Sequence, residues 1–275
     1  MSEFTCPVCG QRLEKHGSQM KCPLGHSYDI SRRGYINLLM SQASSKKRHG
    51  DDGEMVSART RFLSLGYYDR LRSEVCDIAV GLIPQGGVIA DIGCGECYYT
   101  EHIAKTMKEK NIPCDIYGID ISKKALDAAG KRNCGISLAV ASAFSLPIAD
   151  EAANLILNLF APHEPKEFVR ISAPGAKMIR VFPLERHLWE LKEAVYDVPY
   201  ENVIDTLDFP GFTLMYKKEL SYRIHLASQS EILDLFTMTP YCYKTSEKDR
   251  KKLDLLTSLD TRVEFCIVVY EKSEI

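Results

Sequence analysis

No apolar stretch in this 275-residue chain approaches the roughly 18 residues a membrane-spanning helix needs; runs such as Leu155–Phe160 and Cys266–Tyr270 end far short of it. Net charge is equally scarce, −2 at neutral pH, which excludes a histone-like chain coated in positive charge. Glycine and proline together contribute only 29 residues against 45% hydrophobic ones, so neither a collagenous nor a disordered chain is compatible with the composition. The segment Met1–Cys6 lacks a basic stretch followed by an apolar one. A secretory signal is therefore not expected, and the expected location is the cytoplasm, with no membrane partner.

What is present is unevenly distributed. Residues 1–50 carry a balance of +5, and the remaining 225 carry −7. A basic module at one end suits a polyanion partner, although a solvated basic face would read the same way. The ten cysteines of a chain in a reducing compartment are thiols, so closely spaced ones read as metal ligands and scattered ones, such as Cys76, Cys114, Cys134, Cys242 and Cys266, as small buried hydrophobes.

Cys6-Pro7-Val8-Cys9 and Cys22-Pro23-Leu24-Gly25-His26 form two knuckles separated by twelve residues. A C-x-x-C turn aims two sulfurs at one ion, and Cys22 with His26 supplies the other pair, which predicts a closed, structural zinc site. Mixed thiolate and imidazole ligation favours zinc over iron. A segment this short cannot hold itself together by burial alone, so the metal is expected to supply its folding energy. Arg12, Lys15, Lys21, Arg32, Arg33, Lys46, Lys47 and Arg48, with Tyr28 and Tyr35 interleaved, fit contact with phosphates and unstacked bases. A zinc-stapled dimerisation or lid module remains open, as does a homodimer.

Residues 41–54 lack apolar periodicity and are expected to link a ribbon (1–40) to a main domain (55–275). Helices are expected over 54–65 and 69–82, the second with Leu71, Val75, Ile78, Ala79 and Leu82 on one face. From Val88 onward, short apolar runs at 88–91, 115–119, 136–140, 154–158 and 176–181 alternate with helical stretches near 98–110 and 122–132, which predicts a parallel α/β sheet. A strand at 212–224, a helix near 229–237 and a last strand at 263–270 are expected to close it with an antiparallel hairpin.

The first strand of the series runs into Asp91-Ile92-Gly93-Cys94-Gly95-Glu96-Cys97-Tyr98. Gly93 and Gly95 allow a tight turn and close approach to a ligand, and the helix just beyond points its amides at the same place. A dinucleotide fold would want a third glycine where Tyr98 stands, which disfavours NAD. Asp91 suits the cationic end of an amino acid. Asp120 closes the next strand, where a carboxylate accepts both hydroxyls of a ribose.

The D-x-G-C-G-E turn and the Asp120 strand end resemble a class I S-adenosylmethionine-dependent methyltransferase, a Rossmann-like fold with a seven-stranded, mostly parallel sheet. The ribbon, Gly34–Leu39, Met55 with Ala58-Arg59, Phe62-Leu63 with Gly66 and Tyr68, Asp91–Thr100, Phe160-Ala161-Pro162, Arg186–Leu188 with Glu190-Leu191, and Met238-Thr239-Pro240 narrow the resemblance. Together they are similar to the large-subunit ribosomal RNA guanine-N1 methyltransferases of the RlmA type, over nearly the whole chain. The resemblance implies zinc on Cys6, Cys9, Cys22 and His26, and S-adenosylmethionine contacts from Tyr68, Gly95, Glu96 and His187. Ser142 and Ala143, after the third strand, are the expected adenine edge. Cys97 departs from the family pattern, which has glycine there, and creates a second C-x-x-C with Cys94.

Methyl transfer to guanine N1 needs alignment of the nucleophile and an acceptor for its proton. Asn158, Phe160 and His163, at the end of the fourth strand, are the expected substrate-positioning residues, with Phe160 stacking on an extruded base. No general base is identified. The alternatives are a small-molecule methyltransferase, since the fold is indifferent to substrate, and a non-catalytic zinc-dependent RNA-binding protein.

Overall fold

The computed structural model describes residues 3–40, 50–132, 134–204 and 206–274. The chain opens with a small antiparallel sheet, β1 (Glu14–His16), β2 (Gln19–Lys21) and β3 (Ser27–Asp29), and leaves it through β4 (Tyr35–Asn37). Then follow α1 (Gly53–Ser64), α2 (Asp69–Leu82), β5 (Gly87–Ile92), α3 (Tyr98–Glu109), β6 (Cys114–Asp120), α4 (Lys123–Arg132), β7 (Ser137–Val140) and β8 (Ala153–Leu159). The chain continues with α5 (Pro165–Ile171), β9 (Ser172–Pro183), α6 (Trp189–Val195), β10 (Phe212–Leu226), α7 (Gln229–Thr237), short helical turns across 241–255, and β11 (Leu259–Lys272).

The main sheet has the order β10-β11-β9-β8-β5-β6-β7-β4, with β11 antiparallel to both its neighbours and the strands from β9 to β4 parallel. The order reverses at β5, which lies between β8 and β6, and ligands of such sheets sit in the crevice at the carboxyl ends of the strands where this reversal falls. The strands of this centre read as continuous apolar runs because helices or the ribbon cover both faces.

Eight strands stand where seven were expected. The eighth is β4, which pairs with β7 in the register Tyr35↔Leu138, Ile36↔Ala139 and Asn37↔Val140. The last strand within the expected ribbon (1–40) thus pairs with the main sheet. Three residues are too few to reveal a strand by period, but they pair the outer edge of β7, which would otherwise present unpaired backbone groups. Nor is the ribbon detached: the Phe4 ring meets Tyr117 edge-on at 5.0 Å, Thr5 donates to the Pro147 carbonyl at 2.9 Å, and Leu13 is fully buried. Its apolar residues share one core with Ile92, Ile148 and Met178 of the main domain.

Of the expected linker, residues 41–49, with Lys46, Lys47 and Arg48, lie outside the described residues. The rest is structured. Asp52 caps α1 by accepting from the amides of Glu54 and Met55 at 3.0 and 2.9 Å, so residues 53 and 54 already belong to the helix.

Candidate active site and metal centre

Beyond β5 the backbone turns through Gly93 (φ 85°) and Gly95 (φ 54°), then enters α3 at Cys97, which is itself left-handed at φ 61°. The last value explains why glycine suits position 97: a residue with a Cβ is strained there by roughly 1–2 kcal/mol. Cys97 and Cys94 are both buried free thiols, and the hydrogen bond with Cys97, followed by burial, holds the Cys94 thiol well above its ordinary range, as expected of structural rather than reactive cysteines.

A cavity of about 430 Å³ opens over this turn. Asp91, Gly93, Gly95, Glu96, Asp120, Ser142, Ala143 and Phe160 all line it. Asp120 is held by two backbone donors, Gly95 N–H at 2.9 Å and Ser122 N–H at 2.7 Å, and each carboxylate oxygen keeps a lone pair for a ligand. Asp91 is 2% exposed; its Oδ2 accepts from the Thr100 hydroxyl, while its Oδ1 is buried without a partner. Burial, reinforced by the Asp120 carboxylate and opposed by Thr100, pushes Asp91 up to about 7. Glu96, also 2% exposed, accepts from Arg59 Nε at 2.7 Å and leaves Oε1 unsatisfied.

These orphaned acceptors, with a glycine cradle beside them, fit S-adenosylmethionine: acids for the ammonium, Asp120 for ribose hydroxyls, and bare backbone where a Cβ would intrude. An ammonium binds the ionised form of Asp91, so binding at low pH must release that proton. Cofactor affinity is therefore expected to rise with pH and to level off above about 7. Calorimetry in buffers of different ionisation enthalpy checks this, and a pH-independent affinity without proton release would defeat it.

The other expected residues are placed differently. Tyr68 and His187 come together, hydroxyl to Nε2 at 3.5 Å, but neither lines the cavity. Both pack edge-on or tilted against Phe265, whose ring also meets Phe160 at 5.7 Å. The Glu264 amide donates to His187 Nδ1 at 3.0 Å, which assigns the hydrogen to Nε2, and burial drives the imidazole down to about 3, so it is neutral. Asn158 is buried, and its amide donates to the carbonyls of Ile92 and Pro162 at 3.4 and 3.3 Å. It ties the β5 end to the Phe160–Pro162 loop instead of facing the cavity. His163 lies outside the cavity, with Arg180 at 3.4 Å and its ring against Phe209. Phe160 alone of these three reaches the cavity, 44% exposed and at φ 58°, a conformation in which a bulky side chain is a genuine outlier. Arg59, Asp51, Tyr99 and Phe144 also line the cavity and were not among the expected site residues; only the Ala58-Arg59 pair hinted at the first.

In the ribbon, the Cys6, Cys9, Cys22 and His26 ligand atoms all lie within 4.8 Å of one another. Thiolates on one tetrahedral zinc stand about 3.8 Å apart, and thiolate and imidazole about 3.6 Å. The observed separations are 3.6 Å for Cys9–Cys22, 3.6 Å for Cys6–His26 and 3.3 Å for Cys22–His26 Nδ1, so the four residues fit a closed zinc site. Tyr28 places its hydroxyl 3.0 Å from Cys6. Burial alone would raise the Cys6 thiol, but Tyr28 and the backbone at Val8 and Cys9 hold it down at about 7, toward the thiolate a metal needs. Tyr28 is thus turned toward the metal site, and Tyr35 packs against the Leu126 and Leu138 side of the core. Neither is a free stacking platform.

Fold, glycine turn and ribose acid define a class I S-adenosylmethionine-dependent methyltransferase carrying a structural zinc ribbon. Residues 4–47 match the family described as RlmA, N-terminal, and residues 89–175 match a methyltransferase domain. A protein of Micromonospora griseorubida provisionally named 23S rRNA (guanine-N(1)-)-methyltransferase is 30% identical over 89% of this chain and 88% of its own length. The 23S rRNA (guanine(748)-N(1))-methyltransferase of Streptomyces fradiae is 34% identical over 69% of this chain and 66% of that one. A Bacillus subtilis protein, also provisionally named as such, is 27% identical over 98% and 96%. The chain belongs to the RlmA-type family of 23S rRNA guanine-N1 methyltransferases.

Proposed function

We propose that this protein methylates N1 of a guanine in large-subunit ribosomal RNA. The observation that carries the reading is the similarity to relatives of that name along 89% and 98% of the chain, with a ribbon that matches the RlmA family, since the methyltransferase fold by itself is shared by enzymes of many substrates. S-adenosylmethionine supplies an electrophilic methyl group. Asp91 and Glu96 bind its ammonium, Asp120 its ribose, and Ser142 and Ala143 flank its adenine. Phe160 offers its exposed face to an extruded guanine, with Phe265 behind it and the Tyr68–His187 pair behind Phe265. This backing gives Tyr68 and His187 a role in holding the platform, at one remove from the cofactor. Asn158 is a positioning residue for the same loop. The ribbon, followed by the basic segment, docks the RNA.

Incubation with labelled S-adenosylmethionine and ribosomal RNA, followed by mapping of the modified nucleotide, tests the reading; label confined to small molecules would replace it with the small-molecule alternative. Phe160→Ala is expected to leave cofactor affinity unchanged and to lower kcat/KM for RNA about tenfold to a hundredfold, the loss of one base–aromatic stack. Equal turnover by the variant would remove Phe160 from the base site.

A further inference from the structure

Three polar atoms at the cofactor cavity are buried and unsatisfied among the described residues: Asp91 Oδ1, Glu96 Oε1 and Arg59 Nη2. The two acids account for a cation. The guanidinium calls for an anion.

Arg59 projects from the middle of α1, and its other two nitrogens each donate to a carboxylate. Nε donates to Glu96 at 2.7 Å and Nη1 to Asp51, just ahead of the helix. These two carboxylates outweigh burial and keep the guanidinium charged, raised above its ordinary value. The planar fork is thereby fixed at two of its three corners, and the third, Nη2, is directed at the glycine turn: a Cβ on Gly95 would stand 3.3 Å from it. Asp51 is itself anchored, its carbonyl accepting from the Ser122 hydroxyl at 2.8 Å, and Gly50 leaves no room for a side chain against Ile121. A buried guanidinium nitrogen without an acceptor costs free energy that a bound anion returns.

We infer that Arg59 Nη2 receives the carboxylate of the methionine end of S-adenosylmethionine, so that this cavity recognises a zwitterion, its ammonium on Asp91 and Glu96 and its carboxylate on Arg59. The inference rests on the cofactor assignment above. It also gives Asp51 and Glu96 a second task, that of holding the guanidinium at the angle from which one nitrogen faces the ligand.

Ligands that differ by one group separate this from a purely structural arginine. S-adenosylmethionine and its decarboxylated analogue are titrated calorimetrically into the zinc-loaded, full-length protein. The parent is expected to bind the carboxylate-bearing ligand at least tenfold more tightly, the size of one charged hydrogen bond. Arg59→Lys can keep its ion pair with Glu96 but has no second nitrogen to spare, and should lose most of that preference while binding the decarboxylated ligand about as the parent does. An arginine that only braces the turn would, when replaced, weaken both ligands equally, and the inference would fall. Equal affinity of the parent for both ligands would overturn it without any variant. Failure of the parent to bind either ligand would overturn the cofactor assignment itself, a result distinct from the other two.

Discussion

Gly93→Ala is expected to lower S-adenosylmethionine affinity by a hundredfold or more. Two independent effects combine. At φ 85° an alanine is strained by roughly 1–2 kcal/mol, and its Cβ would stand 2.2 Å from the Cβ of Ala161, where no contact can exist. Something must move, and Ala161 has little freedom: the Phe160 amide before it bonds to the Val181 carbonyl at 2.9 Å, and the Pro162 carbonyl after it accepts from Asn158. The displacement therefore falls on the glycine turn or on the base platform, the two walls of the cavity. Adding Ala161→Gly removes the methyl that is struck but not the backbone strain, so the double variant should recover part of the affinity. Calorimetry with thermal unfolding distinguishes a distorted pocket from an unfolded chain. Parental affinity in Gly93→Ala would show that the turn does not approach the cofactor.

Removing the zinc should have an effect of comparable size in a different place. Structural zinc supplies on the order of 10 kcal/mol to small ribbons, and the ribbon's own sheet is slight, three strands of three residues each. Chelation, or Cys22→Ser, is expected to unfold it, and because Phe4 and Leu13 cover the main sheet, the melting temperature of the whole chain should fall as well. The cofactor cavity lies at the carboxyl ends of β5 and β6 and, among the described residues, takes none from the ribbon at 3–40. Cofactor affinity should therefore change less than threefold while methylation of RNA is lost. Elemental analysis, limited proteolysis and calorimetry on the same preparations measure the three quantities. A metal-free protein with a protease-resistant ribbon would contradict the zinc assignment.

Much of the site was legible because its signals are local. The helices 69–82 and 229–237 coincide with α2 and α7, and the strand runs fall within β5, β6, β8 and β9 and overlap β7 but for Ile136, since apolar period and capping residues act over one element at a time. The shorter α5 and α6, seven residues each, were too brief to show a period and were not anticipated. Among site residues, Asp91, Gly93, Gly95, Glu96 and Asp120 stand at or just beyond strand ends that are readable, and all five line the cavity. Asn158 and His163 looked like substrate groups because of their position beside Phe160. Which way a side chain turns at the end of a strand depends on neighbours from other elements: Ile92 and Pro162 claim the first, and Arg180 with Phe209 holds the second.

By itself the sequence determined the alternation of strands and helices, the glycine turn with its two acids, and the four ligands of the ribbon. Each is a matter of spacing along the chain. Tertiary structure alone decided that β4 leaves the ribbon to complete the sheet, that Tyr28 serves the metal site, and that Tyr68 and His187 pack against Phe265. It also decided that Arg59, 34 residues before the first glycine of the turn, ends with one unsatisfied nitrogen above it. The physical reason is common to all of these. They are pairings across long sequence separations, selected by which edge lacked a partner and which buried polar atom lacked a bond, and such needs exist only once the surrounding elements have packed.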